Sequence, residues 1–265
     1  MHASSYITFL GTGNALSTRC FSTCFTLHDQ GKVPLMVDAG GGNGILTQLE
    51  LAGIRKEEIQ DLFVTHTHTD HLLGCVWMMR MALQFHYPLR IWSHRKVLDT
   101  LTYICHQTLP PKEAENIGSL VTMNCLEDGD CFTVGDIRVQ CFDIHSEKEI
   151  QFGFTAQLPN GQSICCLGDE PYSPLCREYV EGADWLLSEA FCLYEDRERF
   201  QPYEKNHSTV LDAARLAEEL KVKNLILYHT EDKTLESRRE RYTAEAESVF
   251  HGRVFVPDDL EWIEL

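Results

Sequence analysis

Apolar residues recur along the chain in short runs, and several of these runs end in a residue able to bind a metal or move a proton. "YITFLGTG" reads as an opening strand closed by a glycine turn, and "CFTLHDQGKVPLMVDAGGG" as a hairpin whose second strand ends in a glycine-rich corner. "GILTQLELAG" carries apolar residues at helical spacing and stops at Gly53. "IQDLFVTH" predicts a short buried strand delivering His66 at its end. "HLLGCVWMMRMALQF" predicts a helix apolar round much of its circumference, as a helix packed inside must be. "IRVQCFDIH", "SICCLGD" and "NLILYH" are further apolar strands, leading to His145, Asp169 and His229. Strands and helices interleave from end to end, which predicts an α/β fold. No linker, repeat or low-complexity tract interrupts the pattern, so residues 1–265 are expected to form a single domain.

Composition narrows the setting more than the chemistry. Hydrophobic residues make up 43% of the 265 and charged residues 24%, the mix of an ordinary globular protein. No apolar run approaches the roughly 20 residues that span a bilayer. Met1 to Thr8 shows no basic start followed by an apolar core, so no export signal and no membrane partner are expected, and a cytoplasmic location is. The eleven cysteines are odd in number and include no CxxC pair. That pattern predicts reduced, mostly buried thiols rather than a zinc ribbon. The formal net charge of -17 disfavours a protein that coats nucleic acid through a broad basic surface. It leaves room for a local basic groove or a small anionic substrate. "ESRRERY" (Glu236–Tyr242) is the densest basic stretch, but glutamates interrupt it, and it reads as a solvated helix face.

The stretch "HTHTDH" carries the candidate chemistry. In an extended chain His66 and His68 share a face, so both imidazoles can reach one metal. Asp70 and His71 follow just past the turn and can serve a second. Imidazoles with a carboxylate suit zinc, manganese or iron, and the lack of thiolates argues against a closed structural zinc site. A plainer reading makes Asp70 the cap of a helix that begins near His71. "VDAGGGNG" allows a backbone nest for an anion, though tight packing is its commoner use.

His66, Thr67, His68, Thr69, Asp70 and His71 fill the HxHxDH motif of the metallo-β-lactamase fold hydrolases without a mismatch. The chain resembles that family along essentially its whole length. The resemblance implies an αβ/βα four-layer sandwich with two divalent metal ions: zinc, or else manganese or iron. It implies that His66, His68 and His145 bind one metal, that Asp70, His71 and His229 bind the second, and that Asp169 bridges them. Thr69 stands where flavodiiron oxygen reductases carry a Glu, and true β-lactamases lack the carboxylate supplied by Asp169.

Within the family the chain is most similar to ribonuclease Z. "NHST" (Asn206–Thr209), followed by the amphipathic "TVLDAARLAEEL", resembles that branch's HST motif, and "SEA" (Ser188–Ala190) resembles its HEAT-like motif with Ser188 replacing the first His. The resemblance pairs His207 with Glu189 beside the metals. Without the family, His207 simply precedes a helix capped by Ser208 or Thr209. The resemblance also implies that Gly11, Thr12, Gly13 and Asn14 line the mouth of the site, and that the protein is a homodimer.

The implied reaction is hydrolysis of a phosphodiester by a metal-bound hydroxide. Asp70 orients the hydroxide and takes its proton, while His207 donates to the leaving side. Two departures bear on the substrate. "SEKEIQFGFTAQLPNGQSICCLG" between His145 and Asp169 is too short for the tRNA-gripping arm of short ribonuclease Z. The basic N-terminal motif is replaced by "NALSTRC", where Arg19 is the lone cation. A tRNA precursor and a smaller phosphodiester, a cyclic nucleotide for instance, both stay open as substrate. Two alternatives stay open as well: hydrolysis of a carboxylic ester, lactone or thioester on the same metals, and a non-catalytic metal-binding scaffold.

Overall fold

The structure is a computed structural model that describes residues 5–265. Residues 1–4, part of the start in which no export signal is read, lie outside the described residues. The chain divides into two compact units. Of the described residues the first gathers 5–11 with Phe21–Glu127 and Asp259–Leu265, the second Thr12–Cys20 with Asp128–Asp258. Each unit is built on one seven-stranded sheet.

In the first unit β1 (Tyr6–Gly11), β2 (Cys24–Asp29) and β3 (Lys32–Val37) pair antiparallel. Gln30 and Gly31 make the hairpin turn at φ 49° and 75°, the hand that matches strand twist. β4 (Asp61–Phe63), β5 (Leu89–Ser93) and β6 (Val121–Cys125) continue the sheet in parallel, and β14 (Trp262–Glu264) closes the other edge against β1. Parallel neighbours need crossovers. These are α1 (Gly44–Leu51), α2 (Thr69–Phe85), and α3 (Arg95–Thr108) with the single turn α4 (Pro111–Ala114). α1 ends where the sequence predicts, with Gly53 just beyond it at φ 70°. Leu72, Cys75, Met78, Met79, Ala82 and Leu83 of α2 are buried in one core with Met36, Leu62 and Ile91 of the sheet. Burying each large apolar side chain there contributes roughly 1.5–3 kcal/mol.

In the second unit β7 (Cys131–Val134), β8 (Ile137–Asp143), β9 (Phe152–Gln157) and β10 (Ser163–Cys166) form an antiparallel meander. β11 (Trp185–Glu189), β12 (Asn224–Tyr228) and β13 (Arg253–Phe255) extend it in parallel. Its helices are α5 (Arg177–Val180), α6 (Arg197–Phe200), α7 (Val210–Glu219) and α8 (Leu235–Glu247). α7 begins with a capping box, Thr209 and Asp212 each accepting from the other's backbone N–H. It lays Val210, Ala213, Ala214 and Ala217 on a core shared with Leu186, Leu225 and Tyr242.

The "ESRRERY" stretch corrects an expectation, for it is not a solvated face throughout. Arg238 is 1% exposed and Tyr242 fully covered. The Arg238 guanidinium donates to Thr230 Oγ1 at 2.7 Å, to Pro257 O at 2.9 Å and to Asp258 Oδ1 at 2.6 Å. A charge so partnered can be buried.

Both sheets therefore begin antiparallel and turn parallel; in the first unit His66, His68, Asp70 and His71 follow the C-terminal end of β4, and in the second Asp169 and His229 follow those of β10 and β12. That end of an open α/β sheet is where ligands bind. Among the described residues no helix is long and apolar enough to cross a membrane.

Candidate metal centre

In the first unit β4 stops at Phe63, and the chain runs on to His68, which is extended (φ -61°, ψ 148°) and serves as N-cap of α2. His66 Nε2 lies 2.8 Å from His68 Nδ1, so the alternate positions do share a face. Asp70 and His71 lie inside the first turn of α2, and no side chain caps that helix. The capping role for Asp70 is thus not what the fold uses. The helix start instead aims both residues, with Asp70 Oδ2 at 3.3 Å from His71 Nε2.

A residue that the motifs did not single out prepares His71. Asp38, at the end of β3, sits on left-handed backbone at φ 54°. Its carboxylate accepts from His71 Nδ1 at 2.7 Å, from Thr65 N at 2.8 Å and from Thr65 Oγ1 at 2.8 Å. With the proton fixed on Nδ1, Nε2 of His71 presents its lone pair beside Asp70, the arrangement by which carboxylates ready histidine for a metal. The available signal was the Asp of "VDAG", placed at the end of an apolar strand. The glycines after it favour packing over an anion nest. A Cβ at Gly40 or Gly44 would meet the Phe21 ring at 2.5 or 2.7 Å.

In the second unit Asp169 and His229 follow β10 and β12, with Asp169 Oδ2 at 3.6 Å from His229 Nε2. Gln151 Nε2 donates to Asp169 Oδ1, and Tyr228 Oη to Gly168 O. Sequence reasoning missed Gln151, which lies on no motif. His145 stands apart. It is exposed on left-handed backbone at φ 60°, its N–H donating to Asp143 Oδ1 at 2.7 Å. Among the described residues it belongs to no cluster of neighbouring ligand atoms. Thr12, Gly13 and Asn14 lie by the end of β12: Gly13 bridges Thr230, and Asn14 Nδ2 donates to Thr230 O at 3.0 Å.

Glu189 ends β11, buried, with Oε2 at 3.6 Å from His207 Nδ1 and Oε1 accepting from Ser208 N. Phe191 stacks on the His207 ring at 5.0 Å, and the His229 ring is 5.3 Å away. Burial opposes charge on His207. The neighbouring Glu189 carboxylate, helped by the charge of Asp169, outweighs it and raises the His207 pKa above the ordinary 6.5. Thr209 caps α7 as one reading of "NHST" predicts, yet capping gives no reason for His207 to face Glu189.

The donors fit divalent cations. In the first unit His66 and His68 offer ligand atoms within 4.8 Å of each other, as do Asp70 and His71; in the second, Asp169 and His229 do. His66, Asp70, His71, Asp169 and His229 are all buried. Two imidazole lone pairs at 2.8 Å repel unless a proton or cation lies between them, and buried carboxylates need a positive partner. Nitrogen and carboxylate oxygen are the donors of zinc, manganese and iron.

The profile of a family described as "Anti-Pycsar protein Apyc1" matches residues 5–255. A ribonuclease Z from an Exiguobacterium species is 22% identical, over 96% of this chain and 97% of its own. The metallo-β-lactamase fold protein YhfI from Bacillus subtilis superposes with a TM-score of 0.78 at 18% identity, covering 99% of this chain and all of its own. The short form of human tRNase Z superposes with a TM-score of 0.75 at 21% identity, covering 98% of each chain. Those two structures share the fold with this chain.

Proposed function

The chain belongs to the Anti-Pycsar protein Apyc1 family, and from that footing we propose that it is a metal-dependent phosphodiesterase acting on a small phosphodiester such as a cyclic nucleotide. One observation carries the small substrate. Between His145 and Asp169 the second unit holds only a short loop and the β9–β10 hairpin, closed by a tight turn in which Leu158 N donates to Gln162 O at 2.9 Å. No arm for gripping RNA projects there, and a net charge of -17 repels a polyanion.

We assign His66, His68 and His145 to one metal, Asp70, His71 and His229 to a second, and Asp169 to both. For His145 this rests on the resemblance alone, and it requires the exposed ring to turn inward when metal binds. Zinc is the assigned ion. When bound, such ions lower the pKa of water and neutralise charge on phosphoryl oxygens. The chain's own residues then manage the protons. Asp70 orients the nucleophilic water and takes one proton as its oxygen joins phosphorus. His207, protonated and held by Glu189, returns a proton to the leaving oxygen as the old P–O bond breaks. Phe191, stacked on His207, keeps that ring in plane and shields it from water. The two units are read as one working domain, and the protein as a cytoplasmic homodimer.

The test is turnover of bis(4-nitrophenyl) phosphate, a cyclic nucleotide, a 3′-extended precursor tRNA and 4-nitrophenyl acetate by zinc-loaded protein, with His68→Ala as blank. Cleavage of the small diesters alone supports the reading. A single cut in the tRNA would move the substrate to RNA, and hydrolysis of acyl esters alone would end the phosphodiester reading.

A further inference from the structure

Beside Asp169 the chain buries a second carboxylate that the chemistry above does not use. Glu170 is only 5% exposed, and burying it without partners would be costly. Its two oxygens face different loops. Oε2 accepts from Asn206 Nδ2 at 3.0 Å, and Oε1 lies 3.5 Å from Lys148 Nζ. Asn206, on left-handed backbone at φ 57°, is the residue before His207. Lys148 lies in the loop after β8, three positions past His145, and that loop is itself held: Ser146 Oγ accepts from Lys148 N at 3.1 Å and from Glu149 N at 3.3 Å. Glu170 therefore fixes one ammonium relative to the loop that carries His207. Of the Lys148 side chain 31% remains accessible.

We propose that Lys148 is a substrate-contacting residue: held by Glu170 beside the His207 loop, it donates a hydrogen bond to the phosphate group of the bound diester. The proposal rests on the phosphodiesterase reading above. Its physical basis is the contrast between a strongly acidic chain and an anionic substrate. Where net charge repels the ligand, a fixed local cation decides binding. A charge-assisted hydrogen bond to phosphate is among the stronger polar contacts available. A Lys suits the place because its compact ammonium can stay near Glu170 while one N–H turns to the substrate. Glu170 acts through Lys148 and Asn206 and is a positioning residue.

The experiment compares wild type, Lys148→Met and Lys148→Arg, all zinc-loaded, on bis(4-nitrophenyl) phosphate, with inorganic phosphate as a competing anion. Lys148→Met is expected to raise KM and the phosphate inhibition constant together by about tenfold or more, with kcat changed less than threefold and metal content equal. Lys148→Arg should recover most of the loss, and the salt dependence of KM should flatten in Lys148→Met alone. Equal KM in wild type and Lys148→Met would overturn the Lys148 contact and leave the phosphodiesterase reading standing. A fall in kcat and metal content with KM unchanged would overturn it too, by making Lys148 a support for the His145 loop. Wild type that carries metal yet neither cleaves the diester nor responds to phosphate would sink both at once.

Discussion

Asp38 accepts a hydrogen bond from Nδ1 of His71 at 2.7 Å, and both groups are almost wholly buried. The pair fixes which imidazole nitrogen is left for a metal. Asp38→Ala is accordingly expected to weaken metal binding by about 10- to 100-fold. Competition against a chromophoric chelator measures this directly. An unchanged affinity would show that His71 holds its orientation without Asp38.

Gly74 gives a prediction opposite in sign to helix propensity. It lies within α2, where Ala normally gains about 1 kcal/mol over Gly. Here a Cβ would stand 1.8 Å from Ala39 O, and Gly74 N donates to Gly40 O at 2.8 Å. Neither side of that approach is a flexible side chain, so the backbone must shift. Gly74→Ala is expected to cost at least about 2 kcal/mol, read from the urea midpoint. A stabilised variant would refute the close approach.

Arg238 ties α8 to the residue after His229 and to the segment leading to β14. Replacing it by Met leaves the carbonyl of Pro257 and the hydroxyl of Thr230 without their donor. The loss should be about 2–4 kcal/mol. Asp258 is half exposed and recovers water, which keeps the figure below that of a fully buried pair. Thermal unfolding of Arg238→Met and Arg238→Lys checks this, and Lys is expected to rescue little because its single nitrogen cannot span acceptors that two guanidinium nitrogens divide between them.

His28 predicts acid sensitivity. Its ring stacks across the strand pair on Tyr6 of β1 at 4.2 Å, and burial lowers its pKa from 6.5 to about 4. As pH falls below 6.5 the unfolded chain takes up a proton that the folded chain refuses. Stability is therefore lost between about 6.5 and 4 and is unaffected above that window. At pH 4.5 the loss from this one group is on the order of 2 kcal/mol. His28→Phe, which keeps the stacking, should lose that much less than wild type between pH 7 and 4.5 in urea titrations. Parallel losses in the two proteins would assign the effect to other groups.

Much of the fold was legible because strand and helix periods were clean. The hairpin from Cys24 to Val37, the helix from Thr69 and the capped helix from Val210 stand where their patterns put them. HxHxDH was legible because it is local. What stayed hidden depends on pairing between distant segments. Asp38 meets His71 only once β3 and β4 lie side by side, and Gln151 meets Asp169 only through the β9–β10 pairing. Arg238 reads as surface because its four neighbours in the chain are charged or polar, and the acceptors that bury it come from elsewhere. His145 was placed by family order, and its exposed ring is a reminder that order in sequence does not fix a side-chain direction.

Asp38, His145, Asn206 and His229 all hold left-handed backbone, at φ 54°, 60°, 57° and 57°. His145 and His229 are proposed ligands, Asp38 supports one, and Asn206 holds Glu170 just before His207; left-handed backbone costs a residue other than glycine about 1 kcal/mol or more, least for Asp and Asn. Evolution under heat alone would drift toward glycine at these four places and yield a hardier, inert protein. A screen that ranks variants of this chain by melting temperature will reward the loss of its chemistry, so turnover has to be scored beside it.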